Sequence, residues 1–335
     1  MSSRRDNRLV WALIVTSLVA AVALTASTMA RGRSPNAARS AGADGPAGSP
    51  TTEPTSRPAT QPTSQPAPAF TVAAYNINYG NADLKAVAKL VGELDADLVC
   101  IVESNAESER HLRRALAKAY PHMTFIRRPA AGGFGFLSRK PLTGVRYHKP
   151  KAGWFGFYEC TVKFGEQSVQ VVGVHLQPVV PTNGEGVGGL AKLLVASEKV
   201  RAEQGRHLLE ILSTDRPVVA LGDYNCQTFM AACRSLADKG YIDSFAAVNE
   251  EPDKQISWHW KYKGIEYRFR IDHIFHSPHW RTLSSRIEPQ GPSDHYPIVS
   301  RLELLPAGQG REAESQPAVV ASDAQANDAA RRRSE

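Results

Sequence analysis

The chain has 335 residues, 42% of them hydrophobic and 22% charged, with a formal net charge of +7. Those proportions exclude a wholly disordered or fibrous chain and suit a folded globular protein. Residues 70–305 hold 29 Lys/Arg against 25 Asp/Glu, a net of +4, so charge alone does not imply a nucleic-acid partner.

In chain order, residues 1–8 carry Arg4, Arg5 and Arg8, which favour a cytoplasmic N-terminus. Residues 9–30 form an uninterrupted apolar run, long enough for a helix to cross a bilayer. Two readings stand: an uncleaved signal anchor, or a signal peptide cut near Thr28-Met29-Ala30. The first implies a membrane-anchored protein with its domain outside the cytoplasm, the second a secreted one. Residues 31–69 are rich in Pro, Ser, Thr, Ala and Gly and read as a disordered tether. Residues 306–335 read as a disordered tail.

Residues 70–305 read as one folded domain in which strand-like and helix-like runs alternate. Strands are predicted at 70–77, 98–102, 123–126, 134–137, 155–164, 168–175, 218–221, 271–275 and 298–304. Helices are predicted at 82–94, 107–119 and 190–213, the last from the apolar spacing of Leu190, Leu193, Leu194, Val200, Leu208, Ile211 and Leu212. Many strands with a few helices suggest two packed sheets with helices outside. The Gly132-Gly-Phe-Gly-Phe-Leu-Ser-Arg segment lacks a phosphate-loop pattern and reads as a strand needing close backbone approach. Cys100 and Cys160 lie in apolar runs and read as buried small hydrophobes. Cys226 and Cys233 are candidates for a local disulfide in an oxidising compartment. No cysteines form a CxxC pair, which argues against structural zinc.

Polar residues recur directly after short apolar strands: Asn76, Glu103, His175, and Asp223 with Asn225. Asp272 lies within Arg270-Ile-Asp-His-Ile-Phe, and Asp294-His295 precedes Tyr296-Pro297. Strand ends in a layered fold converge on one edge, so these side chains are expected to meet in one cleft. Singly, each has a plainer reading. Asp-x-Asn is usually a turn, a lone histidine is usually structural, and Asp272 has Arg270 nearby.

Taken together and in order, Tyr-Asn76-Ile, Val-Glu103-Ser, Gly222-Asp223-Tyr-Asn225, Arg270-Ile-Asp272 and Ser293-Asp294-His295-Tyr-Pro297 resemble the endonuclease/exonuclease/phosphatase superfamily. The resemblance spans about residues 70–305. It implies a four-layer α/β sandwich, two mixed β-sheets flanked by helices, and a metal-dependent phosphoester hydrolase. It further implies that Glu103, supported by Asn76, holds Mg²⁺ (or Mn²⁺ in its place), with Asp294 a metal or water ligand. His295 resembles the general base and Asp272 its carboxylate partner. Asp223 and Asn225 resemble the pair that positions nucleophile and phosphate. His175 resembles a phosphate-binding or leaving-group histidine. Arg201 and Gln204 resemble a recurring Arg-x-x-Gln, and are equally read as helix-to-sheet contacts.

The expected partner is a phosphoester substrate. A nucleic acid would suit Trp258, Trp260, Lys261-Tyr262-Lys263 and Arg268–Arg270, which a solvated strand explains as well. A lipid headgroup near the membrane is the alternative substrate, and a non-catalytic binding module a third reading. Residues 178–189 read as a mobile loop over the cleft. Nothing in the sequence points to an obligate protein partner.

Overall fold

The computed structural model describes residues 69–180, 187–262 and 265–306. The basic N-terminus, the apolar run at 9–30, the tether and most of the tail lie outside the described residues, as does the centre of the expected loop at 178–189. Among the described residues, no helix is long and apolar enough to cross a membrane.

The elements in order are β1 (Ala69–Asn76), α1 (Leu84–Glu93), β2 (Leu98–Val102), α2 (Ala106–Leu116), β3 (His122–Ile126), β4 (Phe134–Ser138), β5 (Leu142–His148), β6 (Phe157–Phe164), β7 (Gln167–His175), α3 (Val187–Ile211), β8 (Val218–Asp223), α4 (Ala231–Ala237), β9 (Ile242–Asp243), β10 (Trp258–Tyr262), β11 (Ile265–Phe269), β12 (Asp272–His276), β13 (Trp280–Ile287) and β14 (Ile298–Leu304). The sheets belong to one compact unit, Ala67–Val180 with Val195–Glu335.

One six-stranded sheet has the order β13-β14-β1-β2-β4-β3, the other β5-β6-β7-β8-β12-β9, and β10-β11 is a separate hairpin. In each six-stranded sheet one central pair is parallel, β1 with β2 and β7 with β8. Alternation along the strands decides which layer each side chain enters. Phe70, Val72 and Ala74 of β1, with Leu98, Cys100 and Val102 of β2, meet Val169, Val171, Val219, Leu221 and Ile274 of the other sheet. The intervening residues Ala73, Tyr75, Val99 and Ile101 pack on Val87, Val91, Leu112 and Leu116 of α1 and α2. Val172, Val174, Val218 and Ala220 pack on Leu208, Ala232, Cys233 and Leu236 of α3 and α4. The result is the expected four-layer α/β sandwich. Each fully buried Val, Leu or Phe contributes roughly 1.5–3 kcal/mol of apolar burial. Cys100 and Cys160 lie in the layer between the sheets as small hydrophobes.

Local sequence sets the helix starts. Asp83 caps α1 by accepting from Ala86 N at 2.9 Å. Asn105 and Ser108 form a reciprocal capping box on α2. Gly133 is held where an added Cβ would lie 1.9 Å from the Ser104 carbonyl oxygen, the close backbone approach expected of this segment.

The structure adds elements absent from the sequence expectation: β5, β9, the β10-β11 hairpin, β13 and α4. β5 and β13 are edge strands with largely exposed side chains, so they lack the apolar alternation that marks a strand. Cys226 and Cys233 are buried thiols with Sγ atoms 3.1 Å apart, not a disulfide.

Candidate active site

Strand register gathers the polar residues. Parallel pairing sets Asn76 of β1 opposite Val102, directly before Glu103. In the other sheet, His175 of β7 is opposite Asp223 of β8, and Asp223 is opposite Asp272 of β12. Gly222 has φ 145°, and a Cβ there would lie 2.1 Å from the Val174 carbonyl oxygen. Only glycine allows this approach immediately before Asp223. Glu103 and Asn225 themselves occupy left-handed backbone, φ 63° and 50°. Asparagine tolerates that region, whereas for glutamate it costs about 1–2 kcal/mol.

Asn76 joins the two sheets. Its Nδ2 donates to Glu103 Oε1 at 3.0 Å and to Asp223 Oδ2 at 3.1 Å, and lies 3.4 Å from His295 Nε2. Its Oδ1 accepts from Asn78 N at 3.0 Å, which fixes the amide orientation. Glu103 Oε2 accepts from Tyr79 N at 3.1 Å. Asp223 Oδ1 accepts from Asn225 N at 2.8 Å, and Asn225 Nδ2 donates to the Leu176 carbonyl at 3.0 Å.

His295 Nδ1 lies 2.9 Å from Asp272 Oδ2, and the same oxygen accepts from Ser257 Oγ at 2.7 Å. Ser257 Oγ in turn accepts from the backbone N–H groups of Ile271 and Asp272, both at 3.0 Å. Burial alone would depress the imidazole, but the carboxylates of Asp272 and Asp223 outweigh it and raise His295 to about 10. His175 has the opposite environment. Its Nδ1 donates to the Ala131 carbonyl at 3.2 Å, and Phe155 stacks on the ring at 4.1 Å and 16°. Burial, with the nearby charge of His295, pushes it down to about 3. Burial also raises Glu103, against the donors Asn76 and Tyr79. Asp223 is pushed up to about 7, chiefly by burial, against His295 and with Asp272 adding.

Two groupings have metal-ligand spacing. The candidate ligand atoms of Glu103, His175 and Asp223 lie within 4.8 Å of one another, as do those of Asp223, Asp272 and His295. Buried carboxylates that burial forces toward neutrality suit a divalent cation, whose charge would let them ionise. Asp294, expected as a metal or water ligand, falls outside both groupings. Its carboxylate accepts from Asn78 Nδ2 at 3.0 Å and Trp258 Nε1 at 3.1 Å.

Thus Asn76, Glu103, His175, Asp223, Asn225, Asp272 and His295 come together, with Asp294 at their edge. Arg270 does not pair with Asp272; its NH1 donates to Asp243 at 2.9 Å. Arg201 and Gln204 fasten the segment after β7: Arg201 NH1 donates to the Gln177 carbonyl at 3.0 Å, and Gln204 Oε1 accepts from Gln177 N at 2.8 Å. Gln204 Nε2 also donates to the Phe155 carbonyl at 3.3 Å. Sequence reasoning missed Asn78, Phe155, Gln177 and Ser257. Asn78 alone carried a signal, standing two residues after Asn76 where an Asx side chain turns the backbone.

Comparison with known proteins bears on the fold and the family. The model of the Endonuclease/Exonuclease/phosphatase family matches residues 73–295. No match is found among the curated proteins. An endonuclease/exonuclease/phosphatase from Beutenbergia cavernae DSM 12333 superposes with TM-score 0.56 at 21% identity, covering 71% of this chain and 72% of that one. D. rerio TDP2, complexed with single strand DNA product, gives 0.54 at 16%, covering 70% and 99%. A beta toxin from Staphylococcus aureus gives 0.52 at 18%, covering 69% and 99%. These likenesses establish the fold, and the family match, which spans more than half of the sequence, establishes the kinship: the chain belongs to the endonuclease/exonuclease/phosphatase family, whose members hydrolyse phosphoester bonds.

Proposed function

We propose that the chain is a divalent-cation-dependent phosphodiesterase of nuclease type, with His295 as general base. The observation that carries this reading is the buried His295–Asp272 pair at 2.9 Å, with Nε2 facing Asn76 and Asp223. An imidazole held at Nδ1 by a carboxylate keeps Nε2 aimed at a water, and Ser257 fixes that carboxylate. The base acts in its neutral form, so His295 must lose its proton before each turnover. Asn225 and Asp223 are assigned to positioning water and phosphate, and His175 to contacting the phosphate or leaving group.

Glu103, with Asn76 beside it, would hold the cation, proposed as Mg²⁺ with Mn²⁺ as substitute. A divalent cation bound there supplies charge neutralisation and Lewis-acid polarisation at the phosphoryl oxygen.

The hairpin favours a nucleic-acid substrate. Trp258 forms an isolated bridge with His295, and its ring stacks on Trp260 at 6.1 Å and Phe269 at 6.2 Å. Aromatic rings leading from the base offer stacking positions for bases, each worth about 1–3 kcal/mol. The apolar run at 9–30 motivates the second reading, a lipid-headgroup phosphodiesterase anchored at, or exported across, a membrane.

The test is a panel of plasmid DNA, single-stranded RNA, sphingomyelin and inositol phosphates, with Mg²⁺ or chelator. Metal-dependent cleavage of a nucleic acid supports the first reading, and cleavage of sphingomyelin alone supports the second. Chelator-insensitive activity, or none on any substrate, overturns both.

A further inference from the structure

A second polar cavity of about 440 Å³ lies between the β5-β6 edge and the C-terminal half of α3. Arg146, His148, Lys151, His207 and Arg216 line it, together with Glu159 and Glu210. It is remote from the catalytic cleft. Gln170, also in its wall, precedes His175 by five residues along β7, roughly 16 Å at strand rise.

Both carboxylates in the lining are already engaged. Glu159 accepts from His148 Nε2 at 2.6 Å, Gln170 Nε2 at 3.0 Å and Arg216 NH2 at 3.4 Å. Glu210 pairs with Lys151 at 2.5 Å. Each carboxylate is thus already paired with a cationic side chain. Two nitrogen-bearing side chains are left over. Arg146 stands directly across the strand pair from Glu159 and has no hydrogen-bond or ion-pair partner among the described residues. His207 is only 9% exposed, touches Phe157 edge-on, and has no hydrogen-bond partner among the described residues. Neither ring nitrogen is sealed in apolar contact, since the buried unpartnered side-chain atoms among the described residues are Tyr75 Oη and Trp280 Nε1. The His207 nitrogens therefore reach the cavity.

A recessed space with three permanent cations, two engaged carboxylates and spare donors is built for an oxyanion. Arginine adds planar, paired donors that match phosphoryl oxygens. We propose that this cavity is a second anion-binding site, for the phosphoryl group of a small phosphorylated molecule, independent of the catalytic cleft.

The test uses the full chain in chelator, with pyrophosphate as the titrant in calorimetry. Working metal-free prevents the probe from binding through a cation in the cleft. One saturable site is expected, weakened at least about tenfold by Arg146→Ala and by His207→Ala. Asn225→Ala and Glu103→Gln should change it less than about twofold. Arg146 is exposed and without partners, so its variant keeps the fold even if loss of His207 disturbs Phe157. Absence of saturable binding overturns the proposal. So does binding that survives Arg146→Ala but is lost in Asn225→Ala, which would assign the anion to the catalytic cleft.

Discussion

His175 and His295 are both almost fully buried, and each places Nε2 3.7 Å from the same oxygen of Asp223. They differ in what holds Nδ1. Asp272 holds His295, whereas a backbone carbonyl and a stacked phenylalanine hold His175. One imidazole is raised to about 10 and the other lowered to about 3. Burial acts against the proton on both, so burial does not separate them. A full negative charge at hydrogen-bond distance does, and a carbonyl dipole is too weak to replace it.

The strongest way to break this contrast is to remove the charged arm. His295→Ala is expected to lower the rate of the proposed phosphoester hydrolysis by roughly 10²–10⁴-fold. Asp272→Asn should also lower it, and the double variant should be little worse than the worse single one, because the two act as a unit. A double-mutant cycle on kcat checks this, and fully additive losses would separate the pair.

Glu103→Gln is expected to lower cation affinity and activity together, since Glu103 sits between Asn76, Tyr79 and His175 with its carboxylate aimed into the cleft. Activity titrated against Mg²⁺ should show a right-shifted midpoint; an unshifted one removes Glu103 from the cation site.

The His175 side sharpens the contrast more gently. Phe155→Leu keeps the apolar volume but loses the ring stack, worth about 0.5–1.5 kcal/mol, so activity should fall by no more than roughly tenfold. Nitrogen chemical shifts of His175 should still report a neutral ring, because the burial and the nearby charge of His295 remain and outweigh the Ala131 carbonyl.

The same contrast also bears on stability rather than on rate. Without metal, the folded protein holds the His295 proton up to about pH 10, while the unfolded chain releases it near 6.5. That stabilisation is complete below about 6.5 and is lost as pH rises through 10. Asp223, raised from 3.8 to about 7, acts in the same sense by costing stability as pH rises across that interval. The Tm of chelator-treated protein should therefore fall between pH 6.5 and 10. His295→Gln should flatten that slope, and an unchanged slope would place the proton elsewhere.

Much of this contrast was legible in the sequence, and the reason is geometric. Short apolar runs such as 98–102 and 218–221 are buried on both faces, so composition alone marks them as strands. A polar residue directly after such a run has little choice but the sheet edge. His295 and Asp272, which do not follow such runs, could be paired on paper through the family pattern. The partners of His175 could not. Phe155 lies 20 residues before it, in a loop held by Gln204 through a backbone carbonyl. Gln177 is fixed through its own N–H and carbonyl. Contacts to main-chain atoms leave no residue-type signature, and a lone serine such as Ser257, 15 residues before Asp272, does not mark its partner either. The charged edge strand β5 was hidden for the converse reason, since exposed side chains alternate without contrast.

The register of β1 has a consequence for how the molecule is made. This strand sits between β2 and β14, and its antiparallel partners run from Ala69 opposite Glu303 to Ala74 opposite Ile298. During synthesis at about 5–20 residues per second, the partner of β1 follows it by roughly 10–50 s. Until then one hydrogen-bonding edge of an almost wholly buried strand has no neighbour, and the sheet that carries Asn76 and Glu103 stays open at its middle. A nascent chain arrested before Ile298 therefore presents a sticky template for other strands. It also lacks His295 whenever the arrest falls a few residues earlier.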